Sequence, residues 1–172
     1  MSTKQETREE RYVKSIIERM KTDSAMAAAL KRADNPATEY QSWEYLADFK
    51  IDLEKPWERI PYTTVSAAVA RAKPSQDGSY SLGAALASCY DDSTVRGRDN
   101  DQARAKLRRL LSCDTTEEVC AILRPLLSLI ASREKKVAYG RLLNQLVWFE
   151  NNPQKIRIQW AEEFFSNVEG GS

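Results

Sequence analysis

Histidine is absent from this chain of 172 residues. The usual general base near neutral pH and the commonest transition-metal ligand are therefore missing, which weighs heavily against an enzyme. Glycine and proline are scarce, six of each, so turns are few and long helices with short connections are favoured. The three cysteines, Cys89, Cys113 and Cys120, are an odd number without C-x-x-C spacing. They read as buried thiols rather than a disulfide framework or a zinc site. No apolar run approaches the roughly 18 residues of a membrane span, and Met1 to Arg11 is charged throughout instead of apolar after a basic start; the expected location is cytoplasmic. Phosphate-cradling glycine loops and a nucleophile elbow are also lacking. Asp99-Asn100-Asp101 opens like a metal loop but is not followed by the acidic position, the Gly and the distal Glu of a calcium site. Asp91-Asp92 is a pair of neighbours that point different ways and suits a loop or cap better than acid–base work. No catalytic residue, no metal and no cofactor is expected.

What is present is ordinary globular composition, 42% hydrophobic and 30% charged, enough for one domain or two small lobes. Apolar residues recur at helical spacing almost throughout. Tyr12, Val13, Ile16, Ile17 and Met20 predict a helix over 3–21, and Asp23 as N-cap begins a second holding Met26, Ala27 and Leu30 that ends before Asn35-Pro36. Tyr40, Trp43 and Leu46 mark a third; a fourth is expected over 62–73 with Pro61 in its first turn. Lys73–Ser79 and Asp91–Asn100 are the turn-rich segments. The helix between them, 82–90, contains Gly83, Ala84, Ala85 and Ala87, small enough to let another backbone come close. Leu107, Leu110 and Leu111 anchor the next helix. Asp114 with Glu117 resembles a capping box ahead of Val119, Cys120, Leu123, Leu127 and Ile130, and Leu142, Leu143, Leu146, Val147 and Phe149 continue the bundle. Asn152 and Pro153 open a last helix with Trp160, Ala161, Phe164 and Phe165. The expected fold is all-α, a two-lobe helical bundle of about eight or nine helices: an N-terminal lobe over 1–78, a C-terminal lobe with a basic face over 79–168, and a flexible tail over 169–172.

Charge is unevenly placed. The net charge is +1, yet Arg96 to Arg157 holds 13 basic and 7 acidic residues, while 1–95 holds 13 and 15. Such polarity suits a polyanion-binding surface, with a solvated helix face as the equal reading from charge alone. Arg104 with Arg108, and Lys106 with Arg109, recur at helical spacing away from the leucine stripe, so one helix is strongly cationic. Arg96, Arg98, Arg133, Lys135, Lys136, Lys155 and Arg157 extend the excess. Lys31 and Arg32 end the second helix, where the helix dipole also favours cations. With no base-reading motif, contacts to nucleic-acid backbone are expected. The Trp and Tyr residues fall mostly on core stripes, which favours packing over base stacking.

Several segments occur in a suggestive order: Ser81 to Ala87, Lys106 to Leu111, Leu123-Arg124-Pro125-Leu126-Leu127, Arg141-Leu142-Leu143, Leu146-Val147-Trp148, and Trp160 to Phe165. Together they resemble the small subunit of Cascade, the type I-E CRISPR surveillance complex, over roughly 81–165; Leu30-Lys31-Arg32 and Pro56-Trp57 add a thinner likeness upstream. Ala84 departs from the family, which often has Arg there. The resemblance implies an all-helical, two-lobed, non-catalytic subunit, present in two copies along the belly of the ribonucleoprotein. Its implied partners are guide RNA and target DNA, the backbone and large subunits, and a second copy of itself. It would contact the guide-paired target strand and the displaced strand and so stabilise the R-loop. The basic positions that match are Lys31, Arg32, Lys106, Arg109, Arg124 and Arg141. The rival readings are a helical protein adaptor without nucleic-acid contact and a metal-dependent nuclease built on Asp99 and Asp101.

Overall fold

A computed structural model describes residues 3–166, so the tail expected over 169–172 lies outside the described residues. Among the described residues nine α-helices follow one another: α1 (Arg8–Met20), α2 (Ser24–Lys31), α3 (Trp43–Asp48), α4 (Pro56–Ala72), α5 (Leu82–Ser88), α6 (Asp101–Leu111), α7 (Thr116–Ser132), α8 (Tyr139–Val147) and α9 (Pro153–Phe165). Short 3₁₀ turns precede α3 and α6. Among the described residues there is no sheet, only an isolated parallel bridge between Tyr80 and Val137.

Local chemistry accounts for most of the boundaries. α1 starts later than the expected Thr3, because Thr7 and Glu10 form a reciprocal capping box: Glu10 N–H donates to Thr7 Oγ1 at 3.1 Å, and Thr7 N–H donates to Glu10 Oε2 at 2.9 Å. The box ahead of α7 is likewise Thr115 with Glu118, one residue beyond the expected pair. Asp23, Asn100 and Asn152 cap α2, α6 and α9. α4 is the largest departure. It begins at Pro56, which occupies the first turn, and Pro61 lies inside it. Pro61 removes one backbone donor early in the helix, where a single lost bond is tolerated, and the helix continues for three further turns.

α4 is the centre of the packing, in contact with α1, α2, α7 and α8. Every residue from Pro61 to Ala70 is buried. Tyr12 of α1 donates to or accepts from Ser66 at 2.6 Å, and its ring meets Phe49 and Tyr62 edge-on. α1 lies against α8, where a Cβ on Gly140 would come within 2.8 Å of the Glu10 Cα. α5 lies against α9 through Gly83, whose added Cβ would stand 2.4 Å from the Trp160 carbonyl oxygen; this is the close backbone approach that the small residues of 82–90 predict. One apolar cluster runs from Tyr12 to Phe164, so helices on either side of the 78/79 division share a core.

The turn-rich segment at that division is stapled to the C-terminal half. Asp77 accepts the Tyr139 N–H at 2.7 Å and the Gly140 N–H at 3.0 Å, capping α8 from 62 residues away. Gly78 N–H donates to the Val137 carbonyl at 3.1 Å, Tyr80 N–H to Lys136 at 3.0 Å, and Ala138 N–H to Tyr80 at 2.8 Å. Burial pushes the Asp77 carboxyl up, against the three backbone donors that favour its ionised form. Asp77→Ala is expected to lower unfolding free energy by about 1–3 kcal/mol, and Asp77→Asn, which keeps one acceptor oxygen, by less. Urea denaturation of the two variants checks this; equal losses would show that the capping bonds are not what the carboxylate contributes.

Candidate nucleic-acid interface

The loop ahead of α6 is shaped by its acids. Asp92 Oδ1 accepts from the Thr94 N–H, the Thr94 hydroxyl and the Val95 N–H, each at 2.7 Å, and these bonds, the Thr94 hydroxyl foremost, hold its carboxyl below the ordinary range. Asp91 accepts from Gly97 N–H at 2.6 Å. Asn100 accepts from the N–H groups of Gln102 and Ala103, and Asp101 is the first residue of α6. Asp91-Asp92 and Asp99-Asn100-Asp101 are thus turn and cap residues, and among the described residues no cluster of three metal-binding side chains occurs. Arg96 projects from this loop into solvent, and Arg98 is half-buried.

α6 buries Ala103, Leu107 and Leu110. Arg104, Arg108 and Arg109 are exposed and Lys106 half-buried; among the described residues no ion pair engages any of the four. The Arg104 guanidinium stands 5.8 Å from the centre of the Phe165 ring. Beyond the end of α6, Arg157 of α9 donates to the Cys113 carbonyl and to Asp114 Oδ1 and lies over Phe149. Burial raises the Cys113 thiol, with Arg157 and Arg109 both opposing that shift. Arg109 and Arg157 thus both lie close enough to the Cys113 thiol to act on it, and Lys155 is exposed on the first turn of α9.

The other sequence-derived cations form separate groups. Arg133 donates to the Cys89 carbonyl at 3.4 Å, at the C-terminal end of α5, and the Lys135 ammonium is 6.0 Å from the Tyr80 ring centre; Lys136 is exposed beside them in sequence. Lys31 is exposed at the end of α2, its carbonyl accepting from Arg71 at 3.2 Å. Arg32 donates to Gln41 at 3.1 Å. Arg71, which sequence reasoning passed over, grips Asp34 with both terminal nitrogens. Arg124 of α7 lines a small crevice with Arg71, Asp34 and Thr64, and its Nε is buried with no hydrogen-bond partner among the described residues. Arg141 stands apart on α8, paired with Glu163 at 2.5 Å. The basic tract of the sequence is thus distributed over several faces.

The thiols of Cys89, Cys113 and Cys120 are buried, and burial pushes that of Cys120 up to about 12. The tryptophans require a correction. Trp43, Trp57 and Trp148 are exposed, as is Tyr40, and only Trp160 of the four indoles lies in the core. Trp43 sits on a helix of six residues, and Trp57 and Trp148 sit at helix ends, where the apolar period has too few turns to assign a face.

This helical arrangement recurs in solved structures. A CRISPR-associated protein of the Cse2 family from Thermus thermophilus superposes with a TM-score of 0.72 at 21% identity, covering 91% of this chain and 97% of that one. CasB from M. ruber gives 0.70 at 22% identity over 94% of each chain. A chain of a CRISPR RNA-guided surveillance complex gives 0.70 at 18% identity, with 91% and 89% covered. These likenesses define the fold class. The sequence supplies the family: residues 26–165 match the profile of CRISPR-associated protein Cse2, and the chain belongs to that family. No curated protein matches it in sequence.

The Arg141–Glu163 pair has a pH signature. Burial raises the Glu163 carboxyl, and Arg141 and the Gly83 N–H pull it down. A carboxyl raised in the folded state contributes stability that is fully present below its unfolded pKa and lost as pH rises through the folded value. Arg141→Ala raises Glu163 further, so the variant is expected to be less stable by about 1 kcal/mol near pH 7, a figure kept small because Arg141 is 45% exposed. The loss should shrink toward about pH 4 as Glu163 is protonated. Urea denaturation at both pH values checks it; a loss independent of pH would assign Arg141 no role in holding the carboxylate.

Proposed function

We propose that this Cse2-family chain is a non-catalytic structural subunit of an RNA-guided CRISPR interference complex, holding nucleic-acid backbone without sequence preference and stabilising the target-strand/displaced-strand R-loop. The observation that carries the reading is α6, where Arg104, Lys106, Arg108 and Arg109 crowd one helix without an acidic partner among the described residues. Like charges at such spacing repel unless a ligand relieves them, and phosphates do so with release of counterions. Arg96, Arg98, Lys155 and Arg157 flank this helix and join it in the proposed surface; Arg133, Lys135 and Lys136 are a separate basic group beside the end of α5 and are proposed as further contacts. Lys31, Arg32, Arg124 and Arg141 enter on the family resemblance. The proposed partners are guide RNA, target DNA, the other subunits of the complex and a second copy of the chain. We assign 1–78 and 79–168 to two lobes meeting across the shared core. A cytoplasmic site of action fits this role, and among the described residues no helix is long and apolar enough to cross a membrane.

A second reading, a protein adaptor with no nucleic-acid contact, draws support from the exposed aromatic residues, Tyr40 at 59% and Trp148 at 53% among them. The deciding measurement is a salt titration of binding to two unrelated single- and double-stranded sequences. Replacing Arg96, Lys106 and Arg109 by Ala is expected to weaken binding equally for both sequences and leave folding intact by circular dichroism. Each lost phosphate contact should flatten the plot of log affinity against log salt by about 0.7–0.9. A folded triple variant with unchanged affinity and slope would favour the adaptor.

A further inference from the structure

A concavity lies away from α6, between α1, α2 and the end of α4. Its volume is about 480 Å³, within the range of sites that accept several side chains of a ligand. The floor is aliphatic: Ile17 and Met20 from α1, Ala27 and Ala28 from α2, Ala70 from α4, and Pro74 beyond it. Three lysines, Lys21, Lys31 and Lys73, stand at its edge and no acidic residue lines it. Lys21 does pair with Glu18 at 2.8 Å, but both side chains are largely exposed, and such pairs exchange readily for another anion.

Lys73 is the second observation. It ends α4 in the left-handed conformation, φ 49° and ψ 52°, a position that glycine occupies without the penalty a Cβ brings. The helix dipole favours a cation at this end, and the same cation, at the mouth of an aliphatic groove, serves an anionic occupant. A nucleic-acid backbone would use the three lysines but would bring no apolar surface to bury on the aliphatic floor.

We infer that this groove docks an acidic amphipathic helix of another protein subunit, its apolar side chains on the alanine floor and its carboxylates on Lys21, Lys31 and Lys73. Helix-in-groove recognition supplies the geometry, and charge complementarity selects the partner and its register. Lys31, which also counts among the proposed nucleic-acid contacts, acts here as a rim residue. The inference rests on the assembly reading above, and the two fail separately: a chain that joins no complex sinks that reading, whereas a chain that joins one without using the groove sinks this.

The test is made on the intact complex. A benzophenone side chain installed in place of the exposed Ala28 is photo-crosslinked after purification, and the attached segment is identified by mass spectrometry. The expected product is an apolar residue within a net-acidic, helix-periodic segment of a different subunit, with yield falling about tenfold when Lys21, Lys31 and Lys73 are all replaced by Ala. Lys73→Gly separates docking from structure. It should leave Tm unchanged or raised, because the backbone penalty is relieved, while crosslinking still falls. Attachment to nucleic acid, to a second copy of this chain, to a neutral or basic segment, or to nothing would overturn the inference, as would a yield unaffected by the lysine substitutions.

Discussion

The rest of the molecule is arranged around a helix with no outside. From Pro61 to Ala70, α4 is buried on every side, which a helix tolerates only where its side chains are small and its polar groups find partners. Thr63, Ser66, Ala67, Ala68 and Ala70 meet the first demand and allow four neighbours to approach. Thr63 donates to the Ile60 carbonyl at 3.0 Å and Ser66 hydrogen-bonds Tyr12, which meets the second for these two groups, whereas the Tyr62 hydroxyl is buried without a hydrogen bond among the described residues. Because interiors are close-packed, an added methylene on this helix displaces an entire neighbour rather than one rotamer. The orientations of α1, α2, α7 and α8 follow from it, and with them the positions of Lys31, Arg124 and Arg141.

Counting basic residues in a sequence overstates the charge available to a ligand. Arg141 answers Glu163 and Arg157 answers Asp114, while Arg133 reaches the carbonyl at the end of α5, where a cation favours the helix dipole. Arg71 is held by Asp34. These side chains hold elements together across 22 to 44 residues of sequence. The cations of α6 have no ion pair among the described residues, although Arg104 lies over the Phe165 ring, and the charge excess acquires direction there rather than along the whole tract.

How much of this could be read from the residues alone depended on the range of the interactions. The helices and their core faces were legible because their periodicity is local: Val119, Cys120, Leu123, Leu127 and Ile130 are all buried as expected. Cap positions were legible to within a residue or a turn, the shift from Asp114 to Thr115 arising because both residue types can cap and only the reciprocal Glu118 bond decides. Gly83 was legible as a point of close approach, though its partner on α9 was not. Asp77 was not legible, since a side chain that caps a helix 62 residues later leaves no local pattern. Pro61 misled because a proline in sequence marks the first turn of a helix and its early interior alike, and only Pro56 already holding the first position separates the two. At the candidate interface, sequence located the charge but not its pairing, because Asp34, Glu163 and Asp114 are distant in sequence from the arginines they hold.

On the reading proposed for this chain, modest and unspecific contacts are what the task requires. Exchange of a DNA duplex for a guide-paired heteroduplex is close to balanced in free energy, so a few phosphate contacts suffice to bias its completion, and base-specific contacts would hinder a complex that must accept any guide. A helix such as α6, with its cations mostly exposed to solvent, has that character. Strong, deeply buried ion pairs would serve poorly there, since removing both partners from water can offset what the pair gains. The fold accordingly places its partly buried pairs, Arg141 with Glu163 and Arg71 with Asp34, where helices meet one another, and leaves the solvated cations of α6 outside the core, where each can exchange water for phosphate at little desolvation cost.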